Sequence, residues 1–165
     1  MNAMNHLWSP WRKEYIENHV PVDGCVFCNE IKKQDGPENL VVYRGNLVYA
    51  ILNRYPYTSG HLMIVPFAHL ATLDLLDALT RAELIEMITH AMQVLRAVYK
   101  PAGFNIGANM GGPAGAGVAD HFHMHLVPRW PGDTNFMSTV SGTRVISEVL
   151  TESYERVLAA WSTLH

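Results

Sequence analysis

Cysteine is nearly absent from this chain: of 165 residues, only Cys25 and Cys28 carry a thiol. A secreted disulfide framework would use more of them at wider spacings and is excluded. No apolar run approaches the roughly 18 residues that span a bilayer, and the N-terminus is polar and aromatic where a secretory signal has its apolar core. A cytoplasmic location is therefore expected, with no membrane as partner. Positive charge is scarce too. Twelve Lys and Arg against 15 Asp and Glu leave a formal charge of -3 and no basic stripe, so nucleic acid is not an expected partner, although a small anionic ligand is allowed. There is no internal repeat or low-complexity segment. With 48% hydrophobic and 16% charged residues, a disordered chain is excluded and one folded domain over residues 1–165 is expected.

The pattern along the chain predicts the elements. Residues 1–20, with Trp8, Pro10, Trp11, Arg12 and Tyr15, read as a packed N-terminal arm, residues 21–130 as the core, and 131–165 as an extension. Leu40–Tyr43 and Leu47–Leu52 are β-rich runs joined by Arg44-Gly45-Asn46, a hairpin pattern. His61–Val65 is a third strand, closed by Pro66. Thr80 and Glu83 form a capping-box pattern, and Leu84, Ile88, Ala91, Leu95 and Val98 then recur at helical spacing for about five turns before Pro101. Phe104–Met110 and Ala119–Val127 read as strands around the loop Gly111–Gly117, the second stopped by Pro128. Leu150, Tyr154, Val157, Leu158 and Trp161 give a last amphipathic helix. The predicted class is α+β: a five-stranded antiparallel sheet with one long helix and a C-terminal helix packed on it.

What the chain has in plenty is histidine, nine residues, three of them within five positions. In His121-Phe122-His123-Met124-His125 polar and apolar residues alternate, so on a strand the three imidazoles would share one face about 6.6 Å apart. Packing does not select three rings whose nitrogens each need a partner when buried. Three ligands on one straight strand point nearly parallel, which disfavours a single ion held by all three. Nucleophilic catalysis remains, since a neutral imidazole attacks phosphorus and leaves readily. His123, the central one, suits the attack, with His121 and His125 orienting it or bonding substrate oxygens. The glycine-rich Asn109–Gly117 loop leads into this run and is either a phosphate cradle or a flexible connection. His61, at a strand start, reads as a structural hydrogen-bonder, and His6, His19, His90 and His165 as exposed.

His121-x-His123-x-His125, followed by Pro128-Arg129, resembles the histidine triad (HIT) superfamily of nucleotide hydrolases and transferases. The likeness runs from about Cys25 to Trp130. Leu7-Trp-Ser-Pro-Trp11-Arg12, Tyr15-Ile16 and Pro128 to Phe136 are similar to the branch holding bacterial diadenosine tetraphosphate phosphorylases. The resemblance implies a homodimer whose sheets join, and attack on the α-phosphate of an adenine nucleotide through His123, with phosphate or water as acceptor. It places Asn53 at the ribose, and Asn109, Gly115, Ala116, Gly117 and Trp130 at the phosphates. Ala116 and Gly117 stand where relatives carry a hydroxyl or amide side chain, so backbone amides would substitute. It also implies a zinc ion held by Cys25, Cys28, His69 and His121, a closed donor set of structural type, and no organic cofactor. A redox role for the C-x-x-C pair is the rival, without a thioredoxin-like βαβ pattern around it. Other readings stay open: a phosphoramidate or nucleotide hydrolase of the same family, a non-catalytic nucleotide-binding regulator, and a zinc-dependent interaction module.

Overall fold

In the computed structural model, residues 24–133 and 148–164 are described. The N-terminal arm, residues 134–136 of the Pro128–Phe136 stretch, and His6, His19 and His165 lie outside them. The elements are α1 (Val26–Glu30), β1 (Val41–Arg44), β2 (Val48–Leu52), β3 (Leu62–Pro66), α2 (Ala78–Tyr99), β4 (Gly103–Gly107), β5 (Met124–Arg129) and α3 (Leu150–Leu164). The five strands form one antiparallel sheet in the order β1-β2-β3-β5-β4, as the α+β reading expects. Helices α2 and α3 pack on each other and on the sheet. Every residue of β2 and β3 is buried. Tyr49 donates its hydroxyl to the Phe27 carbonyl at 3.2 Å, tying α1 to the face opposite the helices. Among the described residues no helix is long and apolar enough to cross a membrane.

Three expectations are corrected. The cap of α2 is Asp77, whose carboxylate accepts from Thr80 N–H at 2.8 Å and Thr80 hydroxyl at 3.0 Å. Glu83 instead reaches the β1–β2 turn and accepts from the amides of Asn46, Leu47 and Val48, so its carboxylate closes the hairpin rather than the helix. His90 is half-buried, with its ring edge-on to Trp161 at 5.0 Å, because α3 covers that side of α2. The structure also adds a short helix, α1, with Cys28 on it and Cys25 at its N-cap, that no periodicity announced: five residues are too few for a 3.6-residue pattern.

The third correction bears on the site. The last strand is Met124–Arg129, not Ala119–Val127, so only His125 of the three histidines lies on it. Pairing with β3 covers only Met124 to Leu126, and before it the chain turns away, with Phe122 N–H bonded to the Leu70 carbonyl at 2.6 Å. Pro128 sits inside the strand instead of ending it. Its carbonyl accepts from Thr58 on the β3 side, so the N–H it lacks faces a side where the β3 ladder has already stopped.

Candidate functional site

The three imidazoles, predicted to share one strand face, occupy separate settings. Each takes its tautomer from a group that can only accept or only donate, directly for His121 and His123 and by way of His61 for His125. His121 is fully buried, with Nε2 2.9 Å from the Pro66 carbonyl. A carbonyl only accepts, so Nε2 carries the proton and Nδ1 presents a lone pair. That lone pair meets Cys25 Sγ at 3.3 Å, Cys28 Sγ at 3.5 Å and His69 Nδ1 at 3.2 Å, and Cys28 Sγ lies 3.4 Å from His69 Nδ1. A tetrahedral ion with bonds of about 2.3 Å to sulfur and 2.05 Å to nitrogen needs sulfur–nitrogen edges of about 3.5 Å and a nitrogen–nitrogen edge of about 3.3 Å. The four donor atoms, all within 4.8 Å of one another, already stand near those edges. The residues therefore fit a metal ion. The Pro66 carbonyl serves as the outer partner that fixes a ligating imidazole's tautomer.

His123, 5% exposed, directs Nδ1 at the His121 carbonyl, 2.9 Å away. The same argument puts its proton on Nδ1 and leaves Nε2 as a free lone pair. Burial lowers its pKa below the usual histidine range, so the ring is neutral at pH 7 and nucleophilic. Its other face packs on Phe27, ring centroids 4.8 Å apart.

His125 stands 5.0 Å from His123, ring to ring. Its Nδ1 lies 3.0 Å from Nε2 of His61, a fully buried residue. Nδ1 of His61 accepts the Tyr57 N–H at 3.1 Å, with the Asn53 amide at 3.4 Å. A donor on Nδ1 forces the His61 proton onto Nε2, where it bonds His125 Nδ1, and the proton of neutral His125 then sits on its outer Nε2. The site thus offers a nucleophilic nitrogen on His123 beside a donor N–H on His125. Burial, then the neighbouring His123, pushes the His125 pKa down to about 4, so the donor is a neutral imidazole. Tyr57 stacks over the pair at 4.6 Å from His61 and 6.0 Å from His125.

His61 is the structural hydrogen-bonder that the sequence indicates, but its bond ends on a triad histidine. A lone histidine opening an apolar run was the only sequence signal for it, and Phe27 and Tyr57 gave none. Asn53 is half-buried beside His61 and accepts the Tyr55 N–H at 2.9 Å. Asn109 bonds the Gly115 carbonyl at 3.2 Å, bracing the loop from inside. The amides of Gly115 and Ala116 donate to Gly112 and Gly111 carbonyls. Trp130 points its indole N–H at the Tyr99 carbonyl, 3.4 Å away, and lines a cleft of about 240 Å³ with Ser59, Tyr99, Glu148, Glu152 and Arg156.

Residues 35–132 match the HIT domain. The chain belongs to the HIT family. It is 40% identical to the AP-4-A phosphorylase of Mycobacterium tuberculosis over 168 aligned positions, covering 98% of this chain and 86% of that protein. Among solved structures, a Zn-bound HIT family protein of Mycobacterium smegmatis superposes with a TM-score of 0.69 at 26% identity, over 86% of this chain and 95% of its own. A histidine triad nucleotide-binding protein of Sulfolobus tokodaii gives 0.68 at 26% identity, over 85% and 93%. Both share the HIT fold found here.

Proposed function

We propose that this HIT protein cleaves dinucleoside polyphosphates of the diadenosine tetraphosphate kind at the α-phosphate, through a covalent nucleotidyl-His123 intermediate. The observation that carries the reading is the 2.9 Å contact from His123 Nδ1 to the His121 carbonyl, an acceptor that calls for a proton on Nδ1 and so leaves the Nε2 lone pair to attack. His123 Nε2 forms a bond to the α-phosphorus as the bond to the bridging oxygen breaks, and a nucleoside triphosphate leaves. The Nε2–H of His125, aimed by His61, donates to the oxygens on which charge develops. An acceptor oxygen then attacks the same phosphorus and His123 leaves, regenerated. We keep Asn53, Asn109, Gly117 and Trp130 as nucleotide-binding residues, with Gly115 and Ala116 shaping the loop, since their amides already donate to the Gly112 and Gly111 carbonyls. Likeness to the mycobacterial phosphorylase favours inorganic phosphate as the acceptor. Against it stand Ala116 and Gly117, which bring no hydroxyl to the loop, and water needs no seat.

The metal we assign to Cys25, Cys28, His69 and His121 is zinc, from the donor chemistry and the edge lengths above. Bound there, it supplies structural cross-linking, since a closed four-ligand set leaves no position for substrate. The protein is a homodimer in this reading. β4 ends the sheet order, and its Asn105, Ile106 and Gly107 are exposed, an open edge of the kind that pairs with a second strand. The test uses diadenosine tetraphosphate and rising phosphate. Phosphorolysis yields ADP and ATP in proportion to phosphate. AMP and ATP at every phosphate concentration would reassign the acceptor to water, and no turnover at all would overturn the enzyme reading.

A further inference from the structure

The nucleophile and the metal-ligand group are joined through one residue. His121 gives its ring Nδ1 to the cluster with Cys25, Cys28 and His69, and its backbone carbonyl to His123 Nδ1 at 2.9 Å. A second path runs through Phe27, between the two cysteines on α1, whose ring lies 5.4 Å from His121 and 4.8 Å from His123. A third runs through the turn after β3, where His69 joins the cluster and the carbonyl of the next residue, Leu70, accepts Phe122 N–H at 2.6 Å. All three converge on residues 121–123, which precede β5 and take no part in its pairing with β3 or β4. The orientation of the nucleophile is therefore held by these anchors and not by the sheet.

We infer that the Cys25–Cys28–His69–His121 group positions the nucleophile, with Cys28 and His69 as positioning residues that act on His123 through the His121 carbonyl and the Phe27 ring. The inference rests on the zinc reading above and goes beyond a stabilising role for the ion. Without a cation, the two ring nitrogens 3.2 Å apart and the two sulfurs within 3.5 Å of them are joined only through N–H and S–H donors, and the thiol bonds are weak. The group then holds the His121 ring less firmly than four metal bonds would. α1, of five residues, is too short to hold its place unaided. If His121 turns, the carbonyl that fixes the His123 tautomer moves with it, and a misplacement of about 1 Å at a reacting atom costs on the order of 100-fold in rate. Asn53 and Asn109 have no bond to the cluster in any of these paths, so nucleotide affinity is spared.

The experiment uses the full-length protein labelled with nitrogen-15 histidine. It compares wild type as purified, after EDTA, and after zinc is restored, with Cys28→Ser, Cys28→His and His69→Ala. Four quantities are read: zinc per chain, melting temperature, the nitrogen shifts of His123, and the single-turnover rate and KM with diadenosine tetraphosphate. The expected result is one zinc per chain. Its removal slows nucleotidyl transfer at least tenfold with KM changed less than about twofold, and the His123 Nδ1–H signature is lost in a chain still folded at the assay temperature. Restored zinc, or the ligand-conserving Cys28→His, brings both back. Should Cys28→Ser not fold, His69→Ala at its exposed position and the EDTA arm carry the comparison. Zinc that leaves with no change at His123, or a loss of rate that only tracks unfolding, overturns the inference and leaves the zinc reading standing. A chain that binds no zinc when zinc is supplied overturns both.

Discussion

Replacing His61 with Phe keeps a ring in a fully buried position and removes both of its nitrogens. Two bonds dominate the loss, the one accepted from Tyr57 N–H at 3.1 Å and the one given to His125 Nδ1 at 3.0 Å, with the longer Asn53 contact at 3.4 Å adding little. A buried polar group left without its partner costs about 1–3 kcal/mol. The Tyr57 amide belongs to an exposed residue and falls at the low end, so the sum is roughly 2–4 kcal/mol. At about 2–4 °C per kcal/mol for a chain of this size, the melting temperature should fall by roughly 4–16 °C. The effect on rate is separate. Without the His61 donor, the His125 proton is free to move to Nδ1, and its outer nitrogen then faces the leaving group as an acceptor. Losing an oriented proton donor costs on the order of 10²–10⁴ in rate, so kcat should drop at least 100-fold with KM little changed. Steady-state kinetics well below the variant's melting temperature, with nitrogen shifts of His125, measure both. A variant that melts earlier but keeps kcat within threefold of wild type would refute the argument and return His61 to a purely structural role.

Three further outcomes are expected. His123→Ala should abolish turnover and leave nucleotide affinity within a few-fold by calorimetry, and neutral-pH mass spectrometry should find AMP on wild-type protein with a slow substrate but none on the variant. Stability should fall with acid: the folded-state pKa of His125 is down at about 4 against about 6.5 unfolded, so its contribution is complete above pH 6.5 and is lost as pH falls towards 4. At pH 5 this amounts to about 2 kcal/mol, or roughly 4–8 °C of melting temperature, and a profile flat from pH 7.5 to 5 would contradict it. Ile106→Lys, placing charge on the exposed β4 edge, should shift the protein to monomers in sedimentation. A wild type that is monomeric from the start would remove the dimer from the proposal.

Residue chemistry and spacing were enough for much of this. The long helix was legible because Leu84, Ile88, Ala91 and Leu95 repeat at a spacing that only a helix places on one face, and all four are buried. The hairpin was legible because β-rich runs flank a short turn. The histidine run was legible as chemistry because packing has no use for three imidazoles, and the cysteine pair as half of a ligand set because its spacing suits one ion. In each case the signal is local, carried by residues that neighbour one another in sequence. Where the strand ends was not local. His121 and His123 leave the sheet because the β3 ladder reaches only Met124 and Phe122 is bonded to Leu70, 52 positions away in the chain. The bond from His61 to His125 spans 64 positions, and the cluster of Cys25, Cys28 and His121 nearly 100. The kinds of chemistry available are thus written in residue types along the chain. Which nitrogen of each histidine keeps its lone pair was decided only by tertiary structure, since a tautomer is set by a partner group and those partners arrive from distant segments.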